Sequence, residues 1–395
     1  MSDLNATVAG SGPLRGGGSG EPRTSVRADS AQAEACGAQQ TRCAGGPEVS
    51  VIVPLYNAAA TLEACLDSIV ASQGVTFEVL VVNDCSKDNS VEIALRYPCR
   101  VVSMRRNIMA ANCRNVGARL ARGEILVFFD SDQVMEPDTL RRFVAVLREN
   151  PGIDAVVASF QADTPMPGFY SRFKNFRHHY VHQMADPEGA TLASGLTAIR
   201  RAVFESIGGF EPAYQPASIE DIALGYKLRR AGHRIRFQGD IQVTHLKGYT
   251  LHELVRSDIV NRAIPWVALM IRDRMWRNDL NTKGGNISSV ALSWLMPIVL
   301  ALGGYPWGLA AAGACAFLIW LANLGLLATG RRHFGTLFLL QSLAFVPFMY
   351  FYQGVGLMAG LLAYARGHTL RGGRTRPEVS FDVLEGTSAP RAQAG

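Results

Sequence analysis

Charge is what this 395-residue sequence has least of. Asp, Glu, Lys and Arg make up 18% of it, against ~25% in an ordinary soluble domain. Cysteine is sparse as well: seven residues, an odd number, with no C-x-x-C pair among them. A small disulfide-stapled scaffold is therefore excluded, and the cysteines read as reduced thiols on the cytosolic side. No G-x-x-x-x-G-K-[ST] motif occurs, and no G-x-G-x-x-G follows the first expected strand, which speaks against a P-loop phosphotransferase. The lack of a G-x-S-x-G elbow disfavours a serine hydrolase. With 48% apolar residues, neither a collagen-like nor a wholly disordered chain fits.

The shortage of charge is concentrated. From Gly284 to Gly330 there are 47 consecutive residues without Asp, Glu, Lys or Arg, and from Phe334 to Ala365 another 32. As helices these would extend ~70 Å and ~48 Å. The first therefore holds two crossings of a ~30 Å hydrocarbon core, turned at Gly303-Gly304-Tyr305-Pro306. The second is long for one upright crossing and short for two, with Pro347 or Gly354–Gly356 as the expected kink. We expect a helical membrane region over 284–365, of two to four segments with three as the working number; a buried helical pair is the competing reading.

Basic residues give an orientation. Segment 222–283 carries twelve Lys/Arg against five Asp/Glu, and Arg331-Arg332 follow the second span. The positive-inside rule then puts residues 1–283 in the cytoplasm, with the chain a multi-pass protein of the inner (plasma) membrane. Arg366, Arg371, Arg374 and Arg376 follow the last segment and conflict with three full crossings. Either that segment is re-entrant or the rule fails at the C-terminus.

Residues 1–47 are rich in Gly, Ser, Ala and Gln and lack the apolar core of a signal peptide, so a disordered tail is expected there, and a second over 366–395. Between them, 48–283 reads as a catalytic domain. The β-branched run VSVIVP (49–54) is followed by a helical stripe of Leu62, Leu66 and Ile69, and FEVLVV (77–82) by a short helix at 91–96. Strands at 100–104 and 125–129 flank a helix over 109–122. Such alternation implies an α/β fold, a mainly parallel sheet flanked by helices. Sheets of this kind bind ligands beyond the carboxyl ends of their strands.

Chemistry-bearing residues sit at those ends. Asn83-Asp84 leaves the second strand and reads either as an Asx-turn or as a carboxylate for a nucleobase or ribose. Asp130-Ser131-Asp132 leaves the fourth. Carboxylates at i and i+2 suit one hard cation, Mg²⁺ or Mn²⁺, shared with substrate phosphates, though acidic turns are common. Glu220-Asp221 opens a helix, where it complements the dipole or supplies a general base. His245, after Ile241–Thr244, is a structural imidazole or a metal ligand. His178, His179 and His182 lie among aromatic and basic residues and read as packing or membrane-surface groups.

Taken in order, the blocks VSVIVPLYNA, VVNDCSKDNS, NCRNVGARLARGEILVFFDSD, ASGLTAIRRAVFESIGGF, EDIALGYKLRRAGHRI and VTH resemble the inverting family 2 glycosyltransferases of the A-type glycosyltransferase fold, over about Glu48–His245. The resemblance implies that Pro54, Tyr56, Asn57 and Asp84 line the nucleotide pocket and that Arg114 helps hold the donor. Asp130 and Asp132 would carry a divalent cation (Mg²⁺ or Mn²⁺), with His245 a further ligand and Asp130 touching the donor sugar. Ser194 and Gly195 would floor the sugar site, and Gly208, Gly209 and Phe210 would shape the acceptor loop. Asp221, paired with Glu220, would be the catalytic base.

The chain departs from the pattern at Asn83, where the family has a second aspartate, and at Cys85, where it has glycine. The Q-x-x-R-W block of processive synthases is absent, and Arg262…Trp266 is a distant echo of it. Single transfer is thus expected rather than polymerisation. The implied activity moves a sugar from a nucleotide-sugar donor to a hydroxyl of a lipid-linked, membrane-embedded or cell-envelope acceptor at the anionic cytoplasmic leaflet. The basic excess reads as membrane-facing, with no nucleic-acid partner. A polyprenyl phosphate acceptor is the alternative. A metal-dependent nucleotidyltransferase is less favoured, since Leu55-Tyr56-Asn57-Ala58 lacks a Gly-rich phosphate loop.

Overall fold

The structure, a computed structural model, describes residues 46–188, 192–211, 219–274, 284–366 and 380–386. The first strand, β1 (Val49–Leu55), shows why the β-branched run ends up central: it pairs in parallel with β2 (Phe77–Asn83) on one side and β4 (Ile125–Phe129) on the other. Side chains alternate across a strand, and both sets are covered. Val49, Val51, Val53 and Leu55 join one apolar cluster with Leu62, Leu66 and Ile69 of helix α1 (Ala59–Val70). Ile52 joins the opposite cluster with Val82, Phe128 and Val116. Helix α2 (Ser90–Ala94) follows β2, β3 (Arg100–Met104) extends the sheet beside β2, and α3 (Met109–Leu120) packs on the Ile52 face.

The remaining strands are β5 (Gln133–Met135), β6 (Ala155–Phe160), β7 (Leu196–Arg200), β8 (Ile235–His245) and β9 (Phe381–Glu385). Between them run α4 (Thr139–Glu149), α5 (Phe169–Gln183), α6 (Arg201–Ser206) and α7 (Glu220–Arg230). The sheet order is β5-β8-β6-β7-β4-β1-β2-β3-β9. The parallel arrangement read from strand–helix alternation holds for β3-β2-β1-β4 and recurs at β6–β8, whereas β4–β7, β6–β7, β5–β8 and β3–β9 are antiparallel. The result is a mixed α/β sheet flanked by helices.

The C-terminal stretch needs a correction. Phe381–Glu385 falls within the expected disordered tail but pairs antiparallel with β3, Val102 opposite Val383, with Arg105 bonded to Asp382 at 3.1 Å. An alternating FDVLE segment supplies the backbone partners that the β3 edge lacks. The tail expected over 1–47 lies almost wholly outside the described residues.

After β8 come α8 (Leu251–Arg256), a π-helical stretch (Ser257–Ala263) and α9 (Ile264–Asp273). The low-charge region follows as α10 (Gly284–Leu302), α11 (Trp307–Ala322) and α12 (Leu324–Ala365). α10 and α12 are long and apolar enough to cross a membrane, and α11 is a shorter apolar helix. The turn between α10 and α11 lies where the glycines and Pro306 placed it. The break in the last helix does not fall at Pro347 or Gly354–Gly356: it is at Gly335, whose φ of 82° only glycine adopts readily. The proline sits inside helix; the backbone turns where no side chain penalises it.

Candidate active site

Local folding explains the site's first residues. Asn83 closes the loop after β2 with its side chain, its Oδ1 accepting from Ser86 N three residues on at 2.9 Å. Asp84 is committed elsewhere: its two oxygens accept the Ile108 and Met109 amides at 2.6 and 2.9 Å, satisfying donors at the start of α3. It is buried, and burial pushes its carboxyl pKa up against those bonds. Cys85 adopts φ 63°, a left-handed conformation disfavoured for a residue with a Cβ, which gives a physical reason for glycine in the family's pattern.

Asp84 opens onto a cleft of about 380 Å³ at the carboxyl ends of β1, β2 and β4. Pro54 and Tyr56 line its mouth, Arg114 and Asp130 its centre, and Ser194, Glu220 and Asp221 the wall beyond. Asn57 is not on that wall. It fastens the β1 loop to the β2 loop, its Oδ1 accepting from Lys87 N at 2.7 Å.

The centre is organised by Arg114 on α3. Its buried guanidinium donates to Asp130 Oδ1 at 2.6 Å and to Glu220 Oε1 at 3.0 Å, and lies 5.6 Å from the Phe210 ring centroid. Burial opposes its charge, but the two carboxylates outweigh burial and hold its pKa above the ordinary value. Glu220 is thereby a positioning residue: one oxygen holds Arg114. Asp221 differs. Among the described residues its Oδ1 accepts the neighbouring Ile222 amide at 2.8 Å. Burial first, then the Glu220 charge, push its pKa to about 6, with Arg262 and Arg114 pulling the other way. A carboxylate poised there suits proton abstraction near neutral pH.

Asp130 and Asp132 diverge. Asp130 faces Arg114 and Gly195, where an added Cβ would run into its Oδ2. Asp132 faces His245, because β5 and β8 pair Gln133 opposite His245; Asp132 Oδ2 lies 3.6 Å from His245 Nε2. The imidazole tautomer follows from its neighbour. The Asn175 amide nitrogen donates to the Ser171 and Lys247 carbonyls at 2.9 and 3.2 Å, so its Oδ1 must accept, and His245 Nδ1, 2.8 Å away, donates. The other ring nitrogen, Nε2, faces the Asp132 carboxylate, whose pKa burial raises but the hydrogen bond and charge of His245 bring below the ordinary value. A cation between them would satisfy both. Among the described residues no three His, Cys, Asp or Glu side chains converge as a metal cluster; a cation here would rest on these two side chains and on substrate phosphates.

Phe210 does not reach the cleft. It is buried against Phe128 and Phe204, with centroids 5.2 and 5.6 Å away, and its backbone is clasped by Asn115. Gly208 and Gly209 turn the chain behind it at φ 74° and 69°; residues 212–218 lie outside those described.

Several lining residues escaped the sequence reading. Lys174, His178, Lys247, Tyr249 and Arg262 all border the cleft, and Trp266 lines a second, adjoining cavity of about 180 Å³ with Gln133, Asp130 and Asp221. The Arg262…Trp266 spacing was the one available signal. Lys174 is buried against Asp258 on the π-helical stretch, and burial brings its pKa down to about 8. The histidines of α5 divide. His178 reaches both cavities; burial, then the charge of Lys174, holds it well below the ordinary imidazole range. His179 instead contacts the Phe160 carbonyl at 2.7 Å.

A mixed sheet of this order, with carboxylates and an arginine gathered at its strand ends, defines a transferase of the A-type glycosyltransferase fold. Residues 50–208 match the family model described as Glycosyl transferase family 2. An uncharacterized glycosyltransferase of Haemophilus influenzae is 30% identical over 232 residues, which cover 55% of this chain and 75% of that protein. The chain belongs to glycosyl transferase family 2 and is a glycosyltransferase. It is also similar to the succinoglycan biosynthesis protein ExoO of Rhizobium meliloti, at 38% identity over 25% of this chain and 29% of that one. Among solved structures, the mannosyltransferase PcManGT from Pyrobaculum calidifontis, in complex with GDP-Man and Mn²⁺, shares the fold with a TM-score of 0.53 at 23% identity, over 81% of this chain and 87% of that one.

Proposed function

We propose that this chain is a membrane-anchored inverting glycosyltransferase that moves a sugar from a nucleotide-sugar to a hydroxyl of a lipid-linked or membrane-embedded acceptor at the cytoplasmic face. In this reading 48–283 is the catalytic unit and 284–365 holds it at the membrane. The observation that carries it is Arg114, whose one guanidinium ties Asp130, on the donor side, to Glu220, the neighbour of Asp221. The residues implicated in donor binding and in base catalysis thus share one cleft and one charged hinge.

In this scheme Pro54 and Tyr56 hold the nucleotide beside a loop that Asp84 fixes to the start of α3, Ser194 and Gly195 floor the donor sugar, and Asp132 with His245 would hold a Mg²⁺ or Mn²⁺ ion. When bound, that cation supplies charge neutralisation for the departing diphosphate. Lys247 and Arg262 add fixed positive charge on the same cleft wall. Asp221 accepts the acceptor hydroxyl's proton as its oxygen attacks the anomeric carbon from the face opposite the leaving group, which inverts configuration. The elevated Asp221 pKa supports a hydroxyl acceptor, since an anionic phosphate needs no base. Lys174, Lys247 and Arg262 together keep a polyprenyl phosphate acceptor as the second reading.

A thermal-shift screen of UDP-, GDP- and dTDP-sugars with Mn²⁺ tests the donor class. Asp221→Asn should lower transfer ~10²–10⁴-fold while donor binding, measured by calorimetry, stays within about twofold. Retention of most turnover would remove Asp221 from the role of base.

A further inference from the structure

Where the chain goes after the membrane region bears on a question that its arginines left open. The sheet strand β9 is reached from the end of α12 across residues 367–379, a stretch bearing Arg371, Arg374 and Arg376. From Arg366 to Ser380 a helix would rise only ~21 Å, short of a ~30 Å hydrocarbon core, and an extended chain long enough to span it would leave its backbone groups unsatisfied. The end of α12 therefore lies on the same side of any membrane as the catalytic sheet. The start of α10, reached directly from the catalytic domain, lies there too.

An even number of crossings follows, and the packing of α12 shows how it is reached. Beyond Gly335 one stripe of α12 packs along the catalytic side from end to end. Phe338 and Phe345 meet Phe169 and Phe173 of α5, with centroids 4.9–6.2 Å apart. The Tyr352 hydroxyl donates to Asp258 at 3.0 Å. Gly356 and Gly360 lie against Ala263 and Val267. From Phe338 to Gly360 is ~33 Å of helix, about the thickness of the hydrocarbon core. Were this length to cross, α5, the π-helical stretch and α9 would descend beside it, carrying Lys174, Asp258 and Arg262 into lipid at large cost.

Away from that stripe α12 exposes Leu337, Leu340, Phe348, Val355 and Met358, while Phe351 is stacked on Trp294 of α10 at 5.5 Å. Meanwhile α10 and α11 form a hairpin whose base is pinned to α12, the Tyr350 hydroxyl donating to Asn323 Oδ1 at 2.7 Å and lying 2.7 Å from Asn286 Oδ1. Its far tip exposes Tyr305 and Trp307, 87% and 76% accessible, the aromatic residues that favour a membrane–water boundary.

We infer that the region crosses the bilayer twice, through the α10–α11 hairpin alone, and that α12 beyond Gly335 lies in the plane of the cytoplasmic leaflet, one face on the catalytic domain and the other in lipid. The inference rests on the membrane-anchored reading above. It places the π-helical stretch, with Arg262 on the cleft wall, directly over the leaflet from which a lipid-linked acceptor would rise.

The test uses the full chain in sealed inside-out vesicles, with one epitope inserted at Gly304 and another after Gly395. Added protease should remove the C-terminal epitope together with the catalytic domain, and spare the Gly304 epitope until detergent is added. A protected C-terminal epitope means an odd number of crossings and overturns the inference. A chain that stays in the soluble fraction defeats the anchored reading itself, a distinguishable failure. Independently, nitroxides at L340C, V355C and L362C should report one depth, ~5–10 Å into the leaflet. A gradient of ~33 Å between the first and last, the rise expected of a crossing helix, overturns the in-plane placement.

Discussion

Replacing Glu220 by Gln should move the acid limb of the pH–rate profile. In the wild type Asp221 must be ionised to accept a proton, so kcat/KM is expected to fall as pH drops through about 6. Glu220's charge is the second cause of that elevation, after burial. A unit charge ~5–8 Å away at an effective permittivity of ~20 is worth roughly 2–3 kcal/mol, and Arg114, 3.0 Å from Glu220, cancels part of it. Gln keeps an oxygen for the Arg114 donor while removing the charge, so the Asp221 pKa should drop by about one unit, ~1.4 kcal/mol, and the limb should move toward pH 5. The assay is kcat/KM against pH from 4.5 to 8 for both proteins, with the catalytic rate and donor affinity measured separately. Loss of Arg114 positioning would lower the rate at every pH without shifting the midpoint, so shape separates the two effects. A limb that stays at about 6, or rises, refutes the electrostatic coupling of the Glu-Asp pair.

Other expectations follow from the same geometry. Asp132→Ala should abolish the Mn²⁺-dependent part of donor binding, read as the difference in calorimetric affinity with and without the ion, while cation-independent nucleotide binding persists. Gly195→Ala drives a methyl into Asp130 and to 2.6 Å from Gln133 Nε2, an overpacking cost of ~1–3 kcal/mol; because Asp130 holds Arg114, transfer should fall at least ~10-fold, more than the loss in melting temperature alone explains. Lys174→Met takes from the buried Asp258 its ion-pair partner and leaves the Tyr352 hydroxyl donating to it at 3.0 Å, a cost of up to ~3–5 kcal/mol. At ~2–4 °C per kcal/mol calorimetry should show Tm lower by roughly 6–20 °C, partly restored by adding Asp258→Asn.

Much of the catalytic half was legible because its signals are local. The β1 run is apolar at every central position, and a strand covered on both faces has to be. Asp84 and Asp130 follow strands directly and Asp132 sits between β4 and β5, so strand order alone brought them to one edge. What was not legible depends on distant partners. Nothing in the neighbourhood of Glu220 says that its oxygen holds Arg114, 106 residues earlier, or that Asp130 is drawn to the same guanidinium and away from Asp132. Phe210 read as part of a loop at the acceptor, yet its ring is spent on Phe128 and Phe204. Arg262 and Lys174 were hidden because a basic helix beside a membrane segment has an obvious reading, charge for the lipid surface, which masks a place in the cleft. In the last helix Pro347 drew the eye as a breaker, although it is accommodated there and Gly335 bends the chain instead.

The pairing of β9 with β3 also has a consequence in time. Arg105 and Asp382, bonded across that pair, are 277 residues apart in sequence. At a synthesis rate of ~5–20 residues per second, β3 waits roughly 14–55 s on a ribosome for its neighbour. Throughout that interval the nascent sheet presents an unpaired edge, an invitation to aggregate, while α10, α11 and α12 are being made. Completion of the catalytic sheet is thus postponed until the low-charge helices have been made, so a chain truncated after Arg366 would keep its sheet open at β3.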